Sequence, residues 1–72
     1  MTANGRGRYW VWVSYVDDTT DVRSCLVKAE ALKEGKAWVT RTNQHTGAKV
    51  LKVDVQERIS NGAFITVMTF RP

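Results

Sequence analysis

An α+β domain is what this sequence predicts, with one helix packed on one face of a four-stranded, mainly antiparallel sheet in the order β-α-β-β-β. Three observations predict it. Residues 8–16, Arg-Tyr-Trp-Val-Trp-Val-Ser-Tyr-Val, are rich in the β-branched and aromatic residues that favour strands. Residues 28–34, Lys-Ala-Glu-Ala-Leu-Lys-Glu, are a run of strong helix formers. Two C-terminal apolar segments are joined by Asn61-Gly62, the strongest short hairpin signal. The alternative is an all-β five-stranded barrel of SH3-like type, with only a short helical turn near Glu30 and Glu34.

The chain of 72 residues makes one domain, read as a short arm over 1–7 and a globular part over 8–72. Chains this small bury only about 60% of the surface their unfolded form exposes, so each large side chain matters. Apolar content of 43% with 25% charged residues excludes a disordered chain. No basic start followed by an apolar run suggests a signal peptide, and no stretch nears the ~20 apolar residues of a membrane span. The single Cys25 allows no internal disulfide, which makes a cytoplasmic, reducing setting the expectation. A net charge of +4 suits an anionic partner without requiring one.

Strand side chains alternate sides. In the first strand Tyr9, Val11, Val13 and Tyr15 therefore share one face, and Arg8, Trp10, Trp12, Ser14 and Val16 share the other. Both faces are apolar, and so few residues hardly suffice to cover both. After the turn-forming Asp17-Asp18-Thr19-Thr20-Asp21, apolar residues at Val22, Cys25, Leu26, Ala29 and Leu32 follow helical spacing. Thr20 or Asp21 as cap and Gly35 as stop bound a helix at 21–34. The competing reading makes 17–20 a hairpin turn and 22–29 a second strand. Residues 37–43 read as a strand, 44–47 as a turn, 48–59 as a long strand and 63–71 as the last.

A two-residue Asn61-Gly62 turn pairs Ile59 with Phe64, Val55 with Met68 and Val53 with Phe70 on one face. The other face pairs Arg58 with Ile65, Gln56 with Val67 and Asp54 with Thr69. A helix with one apolar stripe covers one sheet face. Its core is expected to hold Trp38, Leu51, Val53, Val55, Ile59, Phe64, Met68 and Phe70. Two further tryptophans would overfill that space, so Val11 and Val13 are assigned to the core and Trp10 and Trp12 to the open face. The expected partner-binding face thus comprises Arg8, Trp10, Trp12, Val39, Arg41, Lys52, Arg58, Ile65 and Val67, with Asp54 among them. An exposed apolar patch of this kind marks an interaction site.

No constellation for catalysis emerges. His45 is alone in a turn, and Cys25 has no ligand companions, so no metal and no cofactor is expected. Asp17, Asp18 and Asp21 suit turns and caps, and Glu30 and Glu34 suit a solvated helix face. Gly5-Arg6-Gly7 lacks a third glycine and precedes a strand, so it is no dinucleotide loop. The expectation is a non-enzymatic, protein-binding regulator. In format it matches small accessory or phage-type proteins that modulate a larger machine, such as a transcription or defence complex. Homodimerisation through the open face would satisfy the pattern equally. The alternative is a single-stranded RNA or DNA binder stacking bases on Trp10 and Trp12.

Overall fold

Alternating aromatic and β-branched residues make β1 (Tyr9–Tyr15), the first of four antiparallel strands. The computed structural model describes residues 7–72. Most of the proposed arm lies outside the described residues. Gly7 is buried, and a Cβ there would meet the Cys25 carbonyl oxygen at 2.6 Å.

The segment after β1 turns back on it. Tyr15 donates its N–H to Thr19 at 2.9 Å, Asp18 donates to Tyr15 at 3.1 Å, and Asp18 adopts a positive φ of 70°. The turn delivers β2 (Thr20–Cys25), which pairs with β1 from Ser14–Thr20 to Tyr9–Cys25. The expected helix over 21–34 is thereby corrected. Its first part is a strand, because backbone pairing with β1 outweighs a helical spacing that Val22 and Cys25 satisfy in either conformation. Neither Thr20 nor Asp21 caps a helix.

The helix-forming run does fold as expected, as α1 (Lys28–Trp38), entered through extended Val27 with no side-chain cap. It buries Ala31, Gly35 and Trp38, a stripe with spacings of four and three. Gly35 is no stop signal. A Cβ there would lie 2.9 Å from Val55 Cγ2 and 3.1 Å from the Phe70 ring, so its missing side chain lets α1 sit close to the sheet. Leu26 and Ala29, expected on the buried stripe, are exposed.

Ala37 and Trp38 end the helix, so the strand expected over 37–43 is absent. Only Thr42 makes an isolated bridge, to Lys49. Asn43 organises the loop: its Oδ1 accepts from the N–H groups of His45 and Thr46, and its Nδ2 donates to Thr19 Oγ1 at 2.8 Å. β3 (Val50–Arg58) then pairs with β1, and β4 (Phe64–Phe70) pairs with β3. The sheet order is β2-β1-β3-β4. One helix on an open four-stranded antiparallel sheet is the expected α+β architecture, with the chain order β-β-α-β-β in place of β-α-β-β-β. The sheet does not close into the alternative barrel.

The core lies between α1 and one sheet face, around Val11, Val13, Val53 and Val55, all at 0% exposure, with Tyr15, Ala31, Trp38 and Val50 beside them. Val11 and Val13 face the helix as expected. Trp38 also reaches the core, though from the helix and not from a strand.

Several expected core residues lie outside it for identifiable reasons. Leu51 falls at an irregularity where Ser14 pairs with Lys52 but Tyr15 with Val50, and it is half exposed. The 60–62 turn holds three residues, not two. Ile59 donates to Ala63, Gly62 donates to Ile59, and Gly62 adopts φ 85°. The added residue pairs Arg58 with Phe64, Glu57 with Ile65 and Gln56 with Thr66. A bulge at Val67 then restores the expected pairs Val55–Met68, Asp54–Thr69 and Val53–Phe70. Between the turn and the bulge every side chain of β4 has changed face.

Candidate functional site

The face of the sheet turned from α1 is centred on Trp10 and Trp12. In register beside them stand Ser24 and Val22 of β2, and Gln56 and Asp54 of β3. No second helix covers this face among the described residues. Both indoles are partly buried, and both Nε1 atoms are shut off from water with no hydrogen-bond partner among the described residues. An unsatisfied buried N–H costs about 1–3 kcal/mol, so both rings sit here against a polar penalty.

The one-residue shift in the hairpin brings Phe64 onto this face. Its ring meets Trp10 edge-on at 6.1 Å and 87°. Arg58 lies over both rings, 5.9 Å from the centre of Trp10 and 5.4 Å from that of Phe64. Sequence reasoning missed Phe64 because an Asn-Gly pair reads as a two-residue turn. Only the three-residue geometry reveals the change of face.

The other expected site residues are only partly gathered. Lys52 is on the face but pairs with Asp54 at 3.4 Å, and Asp54 also accepts from Thr69 Oγ1 at 2.6 Å. Arg8 reaches Glu57 at 3.2 Å. Ile65 is corrected to the helix side, since it pairs with Glu57, which pairs with helix-side Tyr9. Val67 is the bulge residue and packs against the core. Val39 and Arg41 follow the helix, because the strand meant to carry them does not form. Both line a pocket of about 330 Å³ with Val16, Lys49, Val50 and Pro72.

On the helix side, Arg41 and Arg23 lie 4.7 Å and 5.3 Å from the centre of the Trp38 ring. Trp38 Nε1 donates to Glu34 at 2.9 Å. Tyr15 donates its hydroxyl to Asp21 at 2.6 Å. Burial, and then that hydrogen bond, push its pKa up to about 12. Burial likewise raises the Cys25 thiol, with nearby Glu30 and Glu34 adding to it, which holds the sulfur protonated and weakly nucleophilic. Thr19 lowers the Asp17 carboxyl by hydrogen bonding. His45 lies in the exposed loop.

No group of three or more His, Cys, Asp and Glu converges as a metal site among the described residues, and no helix there is long and apolar enough to cross a membrane. No protein-family model, curated protein or solved structure matches the chain.

Proposed function

We propose that this chain is a non-catalytic binding protein that docks a partner protein on the open face of its sheet. The observation that carries this reading is the convergence of Trp10, Trp12, Phe64 and Arg58 on one uncovered face. Large aromatics and arginine are the residue types that dominate interface hot spots. Docking would bury Phe64, now 39% exposed, and desolvate the Arg58 guanidinium between the two surfaces.

Charge favours protein over single-stranded nucleic acid. A strand-binding groove needs several free cations along its length. Among the described residues, Lys52 is held by Asp54, Arg8 by Glu57, and Arg41 lies elsewhere, which leaves Arg58 and its rings on this face. A small accessory or phage-type regulator of a larger transcription or defence complex, working in the cytoplasm, fits this format. A second copy seated on the same face is the competing occupant.

Capture from source-cell lysate, with and without nuclease, tests the reading when run beside Trp12→Ala with Phe64→Ala. Retention of a protein despite nuclease, lost in the double variant while circular dichroism stays unchanged, is the expected result. Nuclease-sensitive capture, or affinity for labelled oligonucleotides that falls steeply with salt, would replace it with the nucleic-acid alternative.

A further inference from the structure

The two edges of this sheet differ. β2 carries Asp21 and Arg23 and lies under the helix end, where Arg23 stacks on Trp38. β4 reads Phe-Ile-Thr-Val-Met-Thr-Phe, with no charge and no proline, and five of its seven residues are exposed. Charged side chains and prolines are the usual guards of an exposed edge.

We propose that β4 pairs antiparallel with β4 of a second copy, joining two sheets into one of eight strands across a two-fold axis. The strand's match to itself points to a second copy as the occupant. A two-fold axis sets each side chain opposite a residue of the same segment, and this segment brings no charge without a counter-charge into such a seam.

The backbone supplies a register. Arg58 donates its N–H to Arg8, so Arg58, Gln56 and Asp54 turn their backbone groups towards β1. Their β4 partners Phe64, Thr66 and Thr69 then point theirs away from β3, to the free edge. An axis between Thr66 and Val67 sets Phe64 opposite Thr69 of the second copy, both on the open face and both with outward backbone groups. The same register sets Ile65 opposite Met68 of the second copy on the helix side. These two are exposed by 46% and 44%, and each would cover the other. The bulge at Val67, which spoils a regular edge for a foreign strand, falls at the axis, where both copies share it. The open faces of the two copies become continuous, doubling the aromatic platform. The pairing stands independently of what that platform binds.

Sedimentation equilibrium on three proteins tests the pairing. The unaltered chain is expected to form a dimer that dissociates on dilution, with its Phe64, Thr66 and Thr69 amides gaining hydrogen-exchange protection as concentration rises. Ile65→Lys with Met68→Lys places like charges opposite each other twice and should raise the dissociation constant at least about tenfold. Ile65→Lys with Met68→Glu places opposite charges in contact and should restore dimerisation, now weakened by salt. A chain that stays monomeric to about 1 mM, amides that stay unprotected, or a dimer indifferent to the lysine pair would overturn the proposal. The exchange measurement needs no variant, so it decides even where a substitution impairs folding.

Discussion

One face of the sheet meets α1 through four valines, Val11, Val13, Val53 and Val55, none with any exposed surface, while the opposite face carries Trp10, Trp12 and Phe64. The smaller side chains are inside and the larger ones outside. A short helix bearing Ala31 and Gly35 comes close to the sheet, and β-branched residues fill that thin gap at interior density. Indoles would hold the layers apart. The third tryptophan, Trp38, is accommodated only at the helix end, where it also finds Glu34 for its N–H and two guanidinium groups for its ring. Trp10 and Trp12 find no such acceptor among the described residues. The teaching of the contrast is that the helix side is finished and the open side is not.

That contrast can be broken most severely by charge. Val11→Asp should abolish folding, since an unpaired carboxylate would be buried among valines, whereas Ser14→Asp on the open face should leave the far-ultraviolet circular dichroism unchanged. The same aromatic substitution on the two faces sharpens it further. Trp38→Phe removes the bond to Glu34 and shrinks the stacking surface of two arginines, and urea titration should show a loss of about 2 kcal/mol. Trp12→Phe deletes an orphaned N–H along with some packing, and should cost less than about 1 kcal/mol.

The close approach of helix and sheet is tested by Gly35→Ala. Overpacking against Val55 and Phe70 opposes the gain in helix propensity, for an expected net loss of about 1 kcal/mol in the same titration. Base reports on the helix side through Tyr15. Its folded pKa is raised from 10.0 to about 12, so the stability it confers is complete below pH 10 and drains away as pH rises towards 12. Tyr15→Phe should flatten that part of the pH–stability profile. The smallest stability effect is expected for Arg58→Ala, about 0.5 kcal/mol from two exposed ring contacts, combined with a clear loss of partner affinity.

Much of the candidate site was legible in the residues. The alternation of 9–15 separates Trp10 and Trp12 from Val11 and Val13, and the packing limit beneath one helix correctly sends the valines inward. The helix-forming run at 28–34 was equally plain. What misled was spacing that two structures satisfy. Val22 and Cys25 suit a helical stripe and a strand alike, and only partnership with β1 decided between them. Val39 and Arg41 were carried to the wrong side by a strand inferred from a few β-branched residues, whereas the helix continues through Gly35 to Trp38 and leaves them in the segment that follows it. Ile65 and Phe64 exchanged faces because one extra residue in a turn inverts a strand up to its next bulge.

By itself the sequence determined the class of fold, the side of the first strand that meets the helix, and the aromatic composition of the side that does not. These follow from local alternation, propensity and volume, which neighbouring residues express without help. The tertiary structure alone decided the second strand, the place of Trp38, the arrival of Phe64 beside Trp10 and Arg58, and the position of the uncharged β4 at an edge of the sheet. Each of these depends on pairing between distant segments, where a single-residue slip costs little locally and changes which side chains meet.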